Sequence, residues 1–238
     1  MPMARHVLLN NIDHHGLRVD TTRSAALGDD LMLALTFPDE FRNVQAHYPI
    51  VFHKDVDGRF QPVALLGFRE RQNLFLQNSR WQAHYVPLAV ERQPFLIGRD
   101  GAGEPVIHID LDSPRVGSTT GEALFREHGG TTEYLERMLS VLQTLHQGIM
   151  ATPAFVDALL SNTLLESFVL DVELRDGAQH RLSGFYTIHE EHLRALDGDA
   201  LRQMHRAGHL EAAYMAIASL SNLRQLIEWM KAIDASDR

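Results

Sequence analysis

Residues 48–68, YPIVFHKDVDGRFQPVALLGF, contain two apolar runs separated by a turn. The runs at 50–52 and 62–68 are short and rich in β-branched and aromatic side chains, which is typical of buried strands. Asp55, Asp57 and Gly58 between them are residues that favour turns. The stretch therefore predicts an antiparallel hairpin. Pro38 before it predicts the first turn of a helix over 39–47, where its missing N–H costs little.

Two more hairpins are predicted further along the chain. The first joins 95–97 to 106–109 through the glycine-containing segment 100–103. The second lies at 165–188, where apolar residues alternate from Phe168 to Leu174 before a turn at 176–177. Its returning strand is predicted to place Leu182, Gly184, Tyr186 and Ile188 on one face.

Helical patterns dominate the chain after residue 131. Leu135, Met138, Leu139, Leu142, Leu145 and Ile149 are spaced to share one helical face. Thr152 and Pro153 predict the start of a second helix, and Gly208 predicts a stop before a long helix from about residue 210. We expect an α+β protein, with an antiparallel, strand-rich N-terminal half with hairpins and a helix-rich C-terminal half carrying one further hairpin.

The predicted organisation has three parts. They are a strand-rich aromatic unit at 1–111, a loop or linker at 112–131, and a helical unit at 132–238 with the 165–188 hairpin. One continuous domain is the alternative.

Composition narrows the functional class. The 238 residues have a net charge of −9 and no cysteine, which disfavours general binding to nucleic acid or anionic membranes and excludes cysteine chemistry. No apolar run is long enough for a signal peptide or a membrane span. We therefore expect a soluble, cytoplasmic protein.

Aromatic residues are dense between residues 48 and 95. Most such rings fill protein cores, but Trp, Tyr and Arg also dominate binding hot spots. The predicted ligand-binding residues are Arg69, Asn73, Trp81, Tyr85 and Arg92.

A metal site is the alternative interpretation. His108 and Asp110 lie two apart on a predicted strand, so both side chains would project to one face and could bind one metal ion. His180 and His189 are candidate further ligands. An iron or zinc enzyme would follow from this arrangement, although short H-x-D patterns are weak signals.

Several motifs together resemble the SapC-like family of bacterial proteins. They are Tyr48-Pro49-Ile50-Val51-Phe52, Leu66-Gly67-Phe68-Arg69, Asn73-Leu74-Phe75, Trp81, Tyr85-Val86-Pro87, Pro94-Phe95, Leu182-Ser183-Gly184-Phe185 and Gly208-His209-Leu210. The resemblance covers roughly residues 37–230. The family pattern includes Asp110 but not His108, which weakens the metal interpretation.

The resemblance implies an accessory role near TonB-dependent uptake and tryptophan halogenases. It favours a non-enzymatic binding protein for a peptide or a partner protein, such as a flavin-dependent halogenase or a cupin-like protein. A non-haem iron enzyme is the alternative. A third hypothesis is a homo-oligomer that associates through a C-terminal apolar stripe, formed by Ile217, Leu220, Leu223, Ile227 and Met230.

Overall fold

The structure is a computed structural model that describes residues 5–99, 101, 105–173 and 179–236, without the side chains of residues 105, 173, 179, 180 and 234–236. Its strands are β1 (His6–Leu8), β2 (Arg18–Val19), β3 (Leu33–Leu35), β4 (Ile50–Lys54), β5 (Phe60–Leu65), β6 (Leu76–Gln77), β7 (Arg80–Trp81), β8 (Phe95–Arg99), β9 (Pro105–Asp110), β10 (Val116–Gly117), β11 (Glu122–Ala123), β12 (Leu165–Glu173) and β13 (Gln179–Ile188). Its α-helices are α1 (Phe41–Val44), α2 (Leu88–Glu91), α3 (Glu133–Ser161), α4 (Glu190–Arg194), α5 (Gly198–Arg206), α6 (His209–Ser219) and α7 (Leu223–Ser236). Short 3₁₀ turns cover Ala25–Leu27, Pro38–Glu40 and Leu220–Asn222.

The strand pairings are antiparallel, which confirms the predicted α+β class. β4 and β5 form the hairpin predicted from residues 48–68, β8 pairs with β9, and β12 pairs with β13. Apart from Gly101, the predicted turn at 100–103 lies outside the described residues, as do Leu174 and the predicted turn at 176–177.

Two compact units make up the chain, and their segments interleave along the sequence. The first contains Met1–Asp30, Leu76–Gln82 and Leu88–Gln147, and the second contains Leu31–Phe75, Ala83–Pro87 and Gly148–Arg238. The segment 112–131, predicted as a loop or linker, belongs to the first unit and contributes β10 and β11. The predicted division of the chain into units at 1–111 and 132–238 stays a prediction.

The first unit is built from small sheets and the N-terminal part of α3. Its sheets have the strand orders β1-β9-β8 and β10-β2-β11, beside the short β6-β7 hairpin. Leu135, Met138 and Leu142 on α3 are buried against Phe95 and Ile109 of the sheet. The three-and-four spacing of these helical residues therefore produces the packed face that was predicted.

The second unit is built on a five-stranded sheet of order β12-β13-β4-β5-β3. Phe155, in the C-terminal part of α3, packs against Phe52 of β4 and edge-on against Phe41 of α1. Ser219 at the end of α6 accepts a hydrogen bond from the Ile50 backbone N–H at 2.8 Å. Helices therefore cover the centre of the sheet at β4, while β3 forms one of its edges.

The prediction that a new helix starts at Thr152 is wrong, because α3 continues through Pro153 without a break. The Thr152 hydroxyl donates to the Gly148 carbonyl at 2.8 Å, as a hydroxyl does inside a helix rather than at its N-cap. Proline in a helix interior costs about 3 kcal/mol. Burial of Phe155 and Leu159, both 0 % exposed, offsets this cost.

The predicted inward face of β13 is also partly wrong. Phe168 pairs with Phe185, but Leu170 pairs with Leu182, so two residues of β13 face one residue of β12. This is a β-bulge, and Gly184 within it has a φ of 84°. The bulge shifts the alternation, so Phe185 is buried whereas Gly184 is exposed.

The predicted long C-terminal helix is divided into α6, a 3₁₀ turn and α7. The proposed self-association stripe therefore does not lie on one continuous helix, and Met230 within it is buried. Homo-oligomer formation stays a prediction. No helix among the described residues combines the length and the apolar character needed to cross a membrane.

Candidate functional site

Most of the aromatic rings between residues 48 and 95 are core residues. Those no more than 7 % exposed are Tyr48, Phe52, Phe68, Phe75 and Phe95. Trp81 and Tyr85 are only partly buried. Phe60, which was not among the predicted ligand-binding residues, is also only partly buried. The core interpretation therefore holds for five of these eight rings, whereas Phe60, Trp81 and Tyr85 keep exposed surface.

Tyr85 belongs to the second unit, where its hydroxyl group is part of a buried polar cluster. The hydroxyl donates to Glu40 Oε1 at 2.9 Å, and Thr36 donates to Glu40 Oε2 at 2.7 Å. Burial and the Glu40 carboxylate raise the pKa of Tyr85 well above its usual range. Tyr85 therefore stays protonated and stabilises a carboxylate that is only 2 % exposed.

Arg69 and Asn73 lie in the loop after β5, also in the second unit. The Asn73 side chain accepts a hydrogen bond from the Phe75 N–H at 3.0 Å, which closes a turn. Arg69 is exposed, and its carbonyl accepts from the Gln72 N–H at 3.1 Å. The loop is tight, because a Cβ at Gly67 would overlap the Gln72 carbonyl.

Trp81 and Arg92 belong to the first unit. The guanidinium of Arg23 lies 6.0 Å from the Trp81 ring centroid, within cation–π range. Arg92 donates to the Phe95 carbonyl at 2.6 Å, and burial lowers the pKa of Arg92. Of the predicted ligand residues, two are thus in this unit and three in the other, and their joint binding of one ligand stays a prediction.

The candidate metal ligands also fall in both units. His108 and Asp110 lie on β9 of the first unit, and the His108 ring covers Gly98 of β8. In the second unit, His189 caps α4 and stacks on His192 with ring centroids 3.7 Å apart. The side chain of His180 lies outside the described residues. Among those described, no three His, Asp or Glu side chains are grouped closely enough to hold a metal ion, and an iron or zinc site stays a prediction.

A buried ion network in the first unit was missed by sequence reasoning. Arg115, 2 % exposed, donates to Asp29 Oδ1 at 2.6 Å, and Asp29 is 0 % exposed. Arg23 reaches the same oxygen at 3.3 Å and also pairs with Glu91. Because these residues are far apart in sequence, no local pattern indicates their contact. The network ties the segment around β2 to α2 and has a structural role.

A concave surface with a volume of about 560 Å³ lies in the second unit. We call it the helix–hairpin groove. One wall is the end of the β4–β5 hairpin together with the end of β3, and the other is the C-terminal part of α3. Its lining residues are Leu35, Thr36, Lys54, Asp55, Gly58, Arg59, Phe60, Gln61, Ile149, Met150, Thr152, Pro153, Val156, Asp157 and Leu160.

The helical wall of the groove is apolar and exposed. Ile149, Met150 and Leu160 are 40 %, 66 % and 45 % exposed. Ile149 was predicted to belong to the packed face of α3, so this part of the prediction is wrong. A signal was present, because Met150, Pro153, Asp157 and Leu160 recur at spacings of three and four and so share a second face of the helix.

The hairpin wall of the groove is rigid and basic. Asp55 accepts hydrogen bonds from the backbone N–H groups of Asp57 and Arg59 and from Gln61 Nε2, each at 2.9 Å. Lys54 Nζ lies 5.0 Å from the Phe60 ring centroid and 5.7 Å from that of Tyr186. The turn is therefore fixed by its own hydrogen bonds, and the ammonium group is held against two rings.

A smaller cleft of about 340 Å³ lies elsewhere in the second unit. Its charged groups include Arg42 and Glu211, which form an ion pair. The ring of His209 packs edge-on against Phe155, and burial lowers the pKa of His209. Because Arg42 is already paired with Glu211 and Asp39 adds a second carboxylate, this cleft offers less to an anionic ligand than the larger groove does.

Comparison with known proteins identifies a family. Neither curated proteins nor solved structures give a significant match to the chain. The sequence model of the SapC family matches residues 9–226 of the 238 residues. This match covers nearly the whole chain and agrees with the resemblance carried by its motifs, so the protein belongs to the SapC family.

Proposed function

We propose that this SapC-family protein is a binding protein that holds a short peptide in the helix–hairpin groove. The observation that carries the proposal is the groove itself. Its volume of about 560 Å³ is within the range of roughly 300–1,000 Å³ that is typical of ligand sites. Its mainly apolar lining with a few fixed polar groups is typical of such sites as well.

The exposed side chains of α3 support binding in this groove. Large apolar side chains on a protein surface are individually common, but a cluster in a concave surface marks an interaction site. Met150 and Leu160 lie on one helix face above the groove and remain 66 % and 45 % exposed. A bound apolar side chain would remove this surface from water and gain about 25 cal/mol per Å².

The polar groups of the groove favour a peptide over a hydrocarbon chain. Gln61, Asp157 and Arg59 are interspersed among the apolar residues. A hydrocarbon tail would cover these groups without giving them hydrogen bonds, at a cost of about 1–3 kcal/mol for each one. The N–H and C=O groups of a peptide can supply those bonds while its side chains contact α3.

The accessory role implied by the family resemblance is compatible with this site. A protein that holds a peptide can carry it from TonB-dependent uptake to a flavin-dependent tryptophan halogenase or a cupin-like protein. In this proposal the protein binds the peptide and presents it to the partner, and the partner catalyses the reaction. Titration calorimetry of the purified protein with such a halogenase, with and without peptide, measures that association directly.

Equilibrium dialysis tests peptide binding. The protein is dialysed against pools of pentapeptides built from alanine, valine, leucine and phenylalanine, and the retained peptides are identified by mass spectrometry. We expect retention at micromolar concentrations by the wild-type protein. We expect at least about tenfold weaker binding by Met150→Glu and Leu160→Glu, because each places a carboxylate on the apolar wall.

The matched control is Leu201→Glu. Leu201 is 40 % exposed on α5 of the same unit and does not line the groove. Leu201→Glu should therefore bind peptides as the wild type does. Equal retention by the wild type and both groove variants would contradict the proposal. Dodecanoate tests the alternative of a hydrocarbon ligand. The proposal would also be contradicted if dodecanoate displaced every retained peptide at a concentration lower than that of the peptides.

A further inference from the structure

We propose that the helix–hairpin groove recognises a carboxylate at the end of its apolar peptide, through Arg59 and Lys54. This inference rests on the proposed peptide binding and specifies the chemistry of the ligand. Both cations line the groove and belong to its hairpin wall. Lys54 ends β4, and Arg59 immediately precedes β5.

Neither cation is used in an ion pair within the described part of the chain. The nearby carboxylate of Asp55 accepts hydrogen bonds from the Asp57 and Arg59 N–H groups and from Gln61 Nε2, and none of its contacts among the described residues is an ion pair with Lys54 or Arg59. Asp55 therefore shapes the turn that carries both cations and leaves their charged groups available. A ligand carboxylate would gain two charge-assisted contacts from them.

The ammonium of Lys54 is positioned before any ligand arrives. Its contacts with the Phe60 and Tyr186 rings, at 5.0 and 5.7 Å, restrict the flexible stem. These rings are themselves packed edge to face with centroids 4.7 Å apart. Less side-chain entropy is lost when a restrained cation meets an anion, so this arrangement favours binding.

Charge also gives the bound peptide a direction. Asp157 places a carboxylate on the α3 wall, four residues after Pro153 and three before Leu160. A carboxylate there would repel an acidic group and accept hydrogen bonds from peptide N–H groups. The acidic end of the ligand is therefore directed to the hairpin wall, while its amide groups and apolar side chains lie along α3.

Two chemical sources can supply the carboxylate, namely the peptide C-terminus and an acidic side chain. Three pentapeptide pools separate them, each built from alanine, valine, leucine and phenylalanine. One pool has free C-termini, one is amidated, and one is amidated with glutamate as its last residue. Titration calorimetry with the wild type, Arg59→Gln and Lys54→Gln measures the affinity for each pool. Arg206→Gln is the control, since Arg206 is an exposed arginine of the same unit outside the groove.

We expect the wild type to bind the free-acid pool about tenfold more tightly than the amidated pool, which corresponds to about 1.4 kcal/mol. The ratio should fall to about threefold or less in Arg59→Gln and in Lys54→Gln, and should remain about tenfold in Arg206→Gln. Raising the salt concentration to about 0.5 M should reduce the wild-type ratio, because exposed charges are screened. Recovery of tight binding by the glutamate pool would identify a side-chain carboxylate as an equivalent source.

A ratio near one in the wild type, or an unchanged tenfold ratio in both groove variants, would overturn the inference. Leu160→Glu separates this failure from failure of the proposed function. If Leu160→Glu weakens the binding of all three pools equally, and the wild type has an acid-to-amide affinity ratio of one, then the groove binds peptides without recognising a carboxylate. If Leu160→Glu changes nothing, neither the groove site nor the carboxylate recognition is correct.

Discussion

Replacing Arg115 with methionine should destabilise the first unit by about 3 kcal/mol and leave the second unit unchanged. Breaking a buried ion pair by removing one partner typically costs 3–5 kcal/mol, since the other charge stays buried without compensation. Asp29, the partner of Arg115, is 0 % exposed. Methionine preserves much of the buried aliphatic stem, so the loss reports mainly on the guanidinium group.

The structure places the expected cost at the lower end of that range. Arg115 donates to Asp29 Oδ1 at 2.6 Å and to the carbonyls of Asp20 and Thr22 at 3.1 and 2.8 Å. Two features reduce the loss. Asp29 keeps contacts with Arg23 Nη1 at 3.3 Å and with the Ser24 N–H at 2.9 Å. The Nε of Arg115 is buried without an acceptor among the described residues, so its removal relieves an unpaired donor.

The two tryptophans of the chain allow each unit to be followed separately. Trp81 lies in the first unit and Trp229 in the second. In Trp229→Phe, the fluorescence of the remaining Trp81 follows urea unfolding of the first unit. In Trp81→Phe, the fluorescence of Trp229 follows unfolding of the second. With a denaturant dependence of about 1–3 kcal/mol per M, the Trp81 midpoint should fall by roughly 1–3 M in Arg115→Met.

Two comparisons decide whether the ion pair is responsible. Arg126→Met, at an exposed arginine of the same unit, should shift the Trp81 midpoint very little. Adding Asp29→Asn to Arg115→Met should cost less than the sum of the single changes, because no unpaired carboxylate is then left in the interior. The reasoning is refuted if Arg115→Met unfolds like the wild type, or if the two single losses are strictly additive.

Two further predictions concern the second unit, with Trp229 fluorescence as the measurement. Burial, and secondly the charge of His84, lower the pKa of His47 in the folded protein. The unfolded chain therefore binds a proton at His47 more readily, and the free energy of unfolding decreases as the pH falls below about 6.5, the ordinary pKa of histidine. Between pH 7 and 5.5, His47→Asn should therefore lose less stability than the wild type, and parallel losses would contradict this. Gly148→Ala should destabilise the unit by about 1–3 kcal/mol because its Cβ would overlap the Phe37 ring. Gly198→Ala has no atom within 4 Å of the new Cβ and should change stability by less than about 0.5 kcal/mol; similar effects of the two substitutions would contradict the packing argument.

Local signals were sufficient to predict the hairpins and several helix ends. In the β4–β5 hairpin, Asp55 accepts three hydrogen bonds from residues two to six positions away, so the turn is specified by neighbouring residues. Gly208 has a φ of 74°, which explains why a glycine stands between α5 and α6. The spacing of Leu135 and Met138 likewise predicts a packed helix face without knowledge of its partner.

Candidate site residues were less predictable, because exposure depends on what packs against a side chain. Phe60, Trp81 and Tyr85 keep partly exposed surface, but the other rings of the 48–95 stretch are enclosed. The helix–hairpin groove combines the 54–61 hairpin with residues 149–160. No short-range pattern relates these two segments, so the groove could not be derived from motif spacing.

By itself, the sequence determined the α+β class, the hairpins with their turn residues, the helical faces with regular apolar spacing and the membership of the SapC family. These features depend on interactions between residues close together in the chain or on the motifs themselves. Tertiary structure alone decided that α3 continues through Pro153, that Gly184 forms a bulge and that Arg115 pairs with Asp29. Each of these outcomes depends on burial against distant segments, and that free energy exceeds the local preferences that the sequence displays.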